Sequence, residues 1–203
     1  MTRLLPGVIA MAIIVTASNI LVQFLLGDWL TWGAFTYPFA FLVTDITNRL
    51  YGPAAARKVV VAGFVTGVLF SFVAAGLDRT TLRIATGSGT AFLVAQLLDI
   101  AVFNRIRRGG WWRAPLISTL IGSALDTLIF FSLAFWSALT LFGAAETEAA
   151  AWASDPVPLL GFGPVLPLWI SLALADWCVK LGLAVVALLP FRLIVGRMLV
   201  RVA

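Results

Sequence analysis

Apolar residues in this chain come in long unbroken runs rather than in the short alternations of a half-buried strand. A helix that crosses the hydrocarbon of a bilayer needs about 20 such residues. Six stretches meet or approach that length, at 6–26, 33–50, 59–77, 84–106, 114–142 and 164–189. The second is short and polar for a span. The pattern predicts an all-α polytopic membrane protein, a bundle of six transmembrane helices, with residues 1–203 forming a single transmembrane domain. The first stretch has a rival reading as a signal peptide, with Arg3 as its basic start and Val15-Thr16-Ala17 as a cleavage site. Its apolar run continues to Leu26, beyond the usual length of a signal core, which favours a span.

The polar positions between the runs set the orientation. Arg3, Arg49, Arg57, Lys58, Arg105, Arg107, Arg108, Arg113, Arg192, Arg197 and Arg201 fall at one set of span ends, and no acid accompanies them. Asp28, Asp78, Glu146, Glu148 and Asp155 fall at the opposite ends, with Arg79 and Arg83. Cytoplasmic loops carry the excess of lysine and arginine, so the N and C termini are both predicted to be cytoplasmic, with the chain in an inner membrane. Trp111 and Trp112 at one boundary, and Trp29 and Trp32 at the other, take belt positions where an amphipathic ring is favoured.

Composition agrees. Hydrophobic residues make up 62% of the chain and charged residues 11%, against roughly 25% charged in a soluble domain. The net charge of +5 therefore reads as membrane orientation and not as a nucleic-acid surface. Histidine is absent and Cys178 is the single cysteine. No disulfide framework or thiolate cluster can form within one chain, and no metal or cofactor is expected.

Four of the nine acids remain inside the spans: Asp45, Asp99, Asp126 and Asp176, with Lys180 beside them. Each charged residue at mid-bilayer costs roughly 2.5–3.5 kcal/mol, so four facing lipid would cost about 10–14 kcal/mol. They must face an interior, and intramembrane ionisable groups are functional candidates for that reason. Helical spacing links them to other polar residues. Asp176 and Lys180 are i, i+4, a pair that also reads as a neutralising ion pair that lets the last span insert. Asp45 and Asn48 are i, i+3, as are Gln96 and Asp99. Asn19 and Gln23 are i, i+4. Thr119, Ser123 and Asp126 follow one stripe, with Ser118 and Gly122 beside it. The candidate substrate-binding or coupling set is therefore Asn19, Gln23, Asp45, Asn48, Gln96, Asp99, Ser118, Thr119, Asp126, Asp176 and Lys180. These groups are expected to converge on one sheltered aqueous pocket, with Asp126 and Asp176 near mid-span.

Two segments invite interruption. Tyr37-Pro38 places a proline early in the second span, and Thr86-Gly87-Ser88-Gly89-Thr90 opens the fourth with weak helix formers. Each reads equally as a kink or as a broken binding helix. The long segment 143–163 reads as a loop with room for a short surface helix over an outer mouth.

An ordered series of motifs resembles one family. Trp32-Gly33-Ala34-Phe35, Tyr37-Pro38-Phe39, Phe41-Leu42-Val43-Thr44-Asp45 and Tyr51-Gly52-Pro53 lead it. Arg83-Ile84-Ala85-Thr86, Gln96-Leu97-Leu98-Asp99, Trp111-Trp112, Ser118-Thr119-Leu120, Asp126-Thr127 and Leu189-Pro190 continue it. Together they resemble the queuosine precursor transporters of the vitamin uptake transporter family, over nearly the whole chain except the segment around Glu146. Many members carry an acid where this chain has Arg49; the proteobacterial branch looks like this chain there. The resemblance implies import of 7-cyano-7-deazaguanine, its aminomethyl relative or queuine. A deazaguanine presents N1–H and a 2-amino group side by side, which a carboxylate can accept, while Gln or Asn serves O6. Phe130, Trp136 and Trp177 are the aromatic rings considered for stacking on the base.

The mechanism expected is secondary transport, since nothing resembles a phosphate-binding loop. Four buried acids against one lysine leave surplus negative charge, so a carboxyl that cycles its proton would couple uptake to the proton gradient. The alternative is a substrate-binding membrane component that needs a separate ATPase. No enzyme is expected. A rhomboid-type site lacks its histidine, and the glycine-x-glycine-aspartate motif of intramembrane aspartyl proteases does not occur. The partners expected are a small deazapurine, the lipid bilayer and protons.

Overall fold

A computed structural model describes residues 2–21, 24–27, 30–76 and 80–200. Gln23, Asp28, Trp29, Asp78, Arg79 and Arg201 lie outside the described residues. The helices are α1 (Leu5–Leu21), α2 (Gly33–Thr36), α3 (Phe39–Tyr51), α4 (Pro53–Gly76), α5 (Leu82–Ile106), α6 (Arg113–Phe135), α7 (Ala144–Ala149) and α8 (Leu168–Val200). Two short antiparallel pairs join them: β1 (Leu25–Leu26) with β2 (Leu30–Thr31), and β3 (Pro156–Pro158) with β4 (Val165–Pro167).

Among the described residues four helices are long and apolar enough to cross a membrane: Pro53–Ser71 within α4, Leu82–Ile106, Arg113–Phe135 and Leu168–Met198 within α8. This is a predominantly helical, multi-pass membrane protein. α1 is apolar but has 17 residues, about 26 Å of helix against roughly 30 Å of hydrocarbon. The stretch 33–50 becomes α2 and α3, joined through Tyr37 and Pro38, which both keep right-handed helical dihedrals. Proline has no N–H to give to the preceding turn. The chain answers with short i→i+3 bonds, Ala40 N–H to the Tyr37 carbonyl at 2.9 Å and Phe41 N–H to the Pro38 carbonyl at 3.1 Å. The proline thus tightens one turn and does not open the helix. α5 runs unbroken through Thr86–Thr90.

Some boundaries differ from the sequence pattern. α4 begins at Pro53, so Arg57 and Lys58 ride on its first turns rather than in a loop; proline suits a first helical position because its φ is already set. α6 ends at Phe135, where Trp136 turns extended. α8 continues through Pro190 to Val200. The segment after α6 is more than a loop: it holds α7, a short 3-10 turn at Ala151–Ser154 and the β3–β4 hairpin.

Burial is inverted relative to a soluble protein. Leu5, Ile9 and Ile13 on α1, Val61, Val65, Leu69 and Val73 on α4, and Val185, Val186 and Leu189 on α8 face outward. Asp45, Asn48, Arg83, Gln96, Asp99, Asp126 and Lys180 are buried. Lipid is the solvent that fits that arrangement. Small residues set the helix spacing, as expected where no hydrophobic force separates helix from lipid. A Cβ on Gly63 would lie 2.5 Å from Met11 Cγ, so this glycine lets α4 seat against α1.

Charged side chains lock the helix ends. Arg49 donates to the Arg107 carbonyl at 2.6 Å and Arg107 to the Arg49 carbonyl at 3.3 Å, placing cations on the last-turn carbonyls of α3 and α5, where the helix dipole favours them. At the other end, Arg83 is not a loop residue as the pattern predicts. It lies wholly buried in the first turn of α5 and donates to the carbonyls of Leu133 and Trp136 at the C-terminus of α6. Glu146 on α7 accepts the backbone N–H groups of Leu82 and Arg83 at 3.4 and 3.0 Å, capping α5 with an acid.

Candidate functional site

One helix organises the polar interior. Ser118, Thr119, Gly122, Ser123, Asp126 and Thr127 recur at i, i+1, i+4, i+5, i+8 and i+9 along α6 and are all buried. That spacing keeps one face of the helix continuous over more than two turns. The face packs against α5 along its length and also meets α8 and α3. Thr119 and Asp126 are seven residues apart, two turns or about 10 Å along the axis. Two clusters form there.

The first cluster, A, lies between α3, α5 and α6. Asp45 accepts from Ser118 Oγ at 3.3 Å on one carboxyl oxygen and from Thr119 Oγ1 at 3.2 Å on the other. Thr44 Oγ1 donates to Gln96 Oε1 at 2.6 Å, and Asn48 Nδ2 donates to the Ile100 carbonyl at 3.2 Å. The pairs 44–96 and 48–100 advance together, so α3 and α5 run side by side in the same direction. Asp99 lies beside both Asp45 and Ser118, but neither makes a bond of good geometry to its carboxyl oxygens. Gly122 permits this packing, since a Cβ there would sit 2.9 Å from Phe41 Cε1 and 3.3 Å from Asp99 Cβ.

The second cluster, B, lies between α6 and α8, with Tyr37 at its edge. Lys180 Nζ lies 2.7 Å from Asp126 Oδ2, 2.5 Å from Asp176 Oδ2 and 3.0 Å from Thr127 Oγ1. Thr127 Oγ1 donates to Asp176 Oδ2 at 2.9 Å, and Tyr37 OH reaches Asp126 Oδ1 at 3.5 Å. The ammonium has three protons and three acceptors, and it also sits 5.8 Å from the centre of the Tyr37 ring. The i, i+4 pair read from the sequence is therefore two members of a triad.

The four carboxylates expected to share one pocket fall into two groups, Asp45 with Asp99 and Asp126 with Asp176. The cavity beside Asp45 and Thr119 measures about 10 Å³, the room of one water, so the conformation is closed to a nucleobase. A larger depression of about 500 Å³ lies toward α7, lined by Ser137, Thr140, Thr147, Glu148 and Ser154 among others, and touches none of the candidate residues. Among those residues, Asn19 is on α1, its amide donating to the Val15 carbonyl at 2.8 Å; Gln23 lies outside the described residues.

Two of the three rings expected to stack on the base have other surroundings. Phe130 packs edge-on against Phe131 and Phe135, and Trp136 is exposed at the end of α6. The Trp177 indole nitrogen is buried without a hydrogen-bond partner. Three participants escaped the sequence reading: Tyr37, Thr44 and Thr127. Tyr37 is one of two tyrosines in the chain, and a phenol inside an apolar run was the available signal. Thr44 and Thr127 each precede or follow a span aspartate directly, but a lone threonine in a membrane helix usually bonds its own backbone.

A helical bundle with an apolar exterior and a continuous buried stripe of carboxylates, amides and one ammonium has the build of a membrane transport protein. Residues 31–195 match the family model described as "Putative vitamin uptake transporter". The chain is 35% identical over 208 residues to the "Queuosine precursor transporter" of Escherichia coli (strain K12), covering 93% of this chain and 84% of that one. It is 32% identical to the "Probable queuosine precursor transporter" of Haemophilus influenzae, over 79% of this chain and 66% of that one. It is 35% identical to that of Bacillus subtilis (strain 168), over 55% of this chain and 58% of that one. No solved structure matches at a significant level. The chain belongs to the vitamin uptake transporter family.

Proposed function

We propose that this protein imports queuosine precursors, the 7-deazaguanine bases 7-cyano-7-deazaguanine, 7-aminomethyl-7-deazaguanine or queuine, across the bacterial inner membrane. The observation that carries the reading is the 35% identity to a queuosine precursor transporter over 93% of the chain. The buried carboxylates and amides on α3, α5 and α6 supply hydrogen-bonding groups of the kind a polar base requires in an apolar site. The basic loops support six spans with both termini cytoplasmic, with α1 and the α2–α3 pair as the two shorter crossings.

Transport is secondary and proton-coupled. In cluster B two carboxylates share one ammonium, which leaves one negative charge in excess inside the membrane; a proton taken up there neutralises it, and its release on the other side restores it. Asp126 and Asp176 are the coupling groups. A transporter, and no catalyst, is the role the relatives' names support.

The test is uptake of a labelled 7-deazaguanine base by the purified chain reconstituted alone in proteoliposomes, with and without an imposed proton gradient. Accumulation that an uncoupler abolishes is the expected result. Binding without accumulation would assign the chain to an importer driven by a separate ATPase. Accumulation indifferent to pH and uncoupler would remove the coupling role.

A further inference from the structure

Cluster A contains an anomaly that cluster B does not. Both carboxyl oxygens of Asp99, Asn48 Oδ1 and Gln96 Nε2 are buried without a hydrogen-bond partner. All three residues are fully buried. Orphaned polar atoms in an apolar interior cost free energy that a folded protein normally avoids. Their neighbours explain which atoms stay open. Thr44 occupies the Gln96 carbonyl oxygen, Ile100 occupies the Asn48 amide nitrogen, and Ser118 and Thr119 each occupy one oxygen of Asp45. What remains is a set of three acceptors and one amide donor on adjoining turns of α3 and α5.

From this pattern we infer that Asp99, Asn48 and Gln96 form the base-reading site, and that its specificity is for a guanine-type edge. The inference rests on the transport of deazaguanine bases proposed above and assigns the residues that recognise them. A guanine-type edge presents N1–H and a 2-amino group side by side, which fit the two oxygens of one carboxylate, here Asp99. Its O6 needs a donor, which Gln96 Nε2 supplies, and a further ring N–H or amino proton meets Asn48 Oδ1. An adenine-type edge would set its N1 lone pair against the carboxylate, and a 2-deamino base would leave one Asp99 oxygen unmet. Asp45, held by two hydroxyls, is a positioning residue that keeps the neighbouring carboxyl aligned. The amide donor argues against a plain cation site, because an N–H₂ group repels a metal ion. Asp99, Asn48 and Gln96 are fully buried, so a base reaches them only when the helices around them part.

The experiment compares wild type with Asp99→Asn and Gln96→Ala in proteoliposomes, using a labelled 7-deazaguanine and its 2-deamino counterpart, and reads the ratio of the two uptake rates. A site built to hydrogen-bond a group rejects the analogue that lacks it. Wild type is expected to favour the 2-amino base by on the order of tenfold or more. Asp99→Asn is expected to bring the ratio close to one, and Gln96→Ala is expected to slow both bases while keeping the ratio. A merely structural role would lower both rates at constant ratio, so an unchanged ratio in Asp99→Asn overturns the assignment while leaving the transport function intact. A changed sodium or proton dependence at unchanged ratio overturns it too, in favour of an ion site. No deazaguanine uptake by wild type removes both the function and the site. If Asp99→Asn does not yield folded protein, competition against wild type decides the matter: the 2-deamino and O6-methyl analogues are expected not to compete, and equal competition by either contradicts the assignment.

Discussion

The two polar clusters sit two turns apart on the same face of α6, yet they solve burial in opposite ways. In cluster B every charged group has a partner, although two carboxylates share one cation: Lys180 is held by Asp126, Asp176 and Thr127. In cluster A, Asp45 is met by neutral hydroxyls while Asp99, Asn48 and Gln96 keep open atoms. A saturated ion network stabilises the packing of the helices that carry it. An unsaturated set is destabilising in the empty protein and gains partners only when a ligand arrives. The contrast separates a group of residues that maintains the bundle and carries charge from one that waits for a solute.

The sharpest way to break this contrast is to remove the shared cation. Lys180→Met leaves Asp126 and Asp176 buried against each other, and losing one partner of a buried ion pair costs about 3–5 kcal/mol. Chemical denaturation of the detergent-purified protein should show that loss. Neutralising both acids as well, with Asp126→Asn and Asp176→Asn, should recover much of it. A Lys180→Met protein as stable as wild type would mean that the triad does not hold the helices.

Packing between the clusters gives the next effect. Gly122→Ala inserts a methyl 2.9 Å from Phe41 and 3.3 Å from the Ala95 carbonyl, an overpacking worth about 1–3 kcal/mol. The melting temperature should fall, and a variant that melts with wild type would show that α6 has slack against α3 and α5. Asp99→Asn should act in the opposite direction from Lys180→Met. Replacing an unpartnered carboxyl by a neutral amide leaves stability unchanged or raises it by about 1 kcal/mol. A clear destabilisation would show that Asp99 is held by partners in the resting protein. Thr127→Val is the mildest probe. It deletes the hydroxyl shared by Lys180 and Asp176, and a melting shift equivalent to about 1 kcal/mol is expected.

Much of this arrangement is visible in the order of residues. The apolar runs mark the long helices, and i, i+4 spacing puts Asp176 beside Lys180. The stripe Ser118–Thr119–Ser123–Asp126 is readable as one face of α6. What spacing along one helix does not carry is partnership between helices. Asp45 meets Ser118 and Thr119 across more than seventy positions, and Asp126 reaches Lys180 across 54. For the same reason, four carboxylates counted along the chain look like one pocket, whereas helix packing divides them in two. Arg83 reads as a loop residue because a charge at the edge of an apolar run is usually solvated. Its burial depends on the free carbonyls at the end of α6, which only the fold brings near. Pro38 reads equally as a kink or a break because proline removes a hydrogen bond; local tightening of the turn keeps α2 and α3 nearly continuous.

On the reading proposed above, the open atoms of cluster A, and not the closed network of cluster B, receive the base. The most direct test is the thermal stabilisation of purified protein by an unlabelled 7-deazaguanine base, since a ligand that binds the folded state raises its melting temperature. Wild type and Thr127→Val should be stabilised to a similar degree, and Asp99→Asn should not respond. Equal stabilisation of Asp99→Asn, or loss of the response in Thr127→Val alone, would contradict the account.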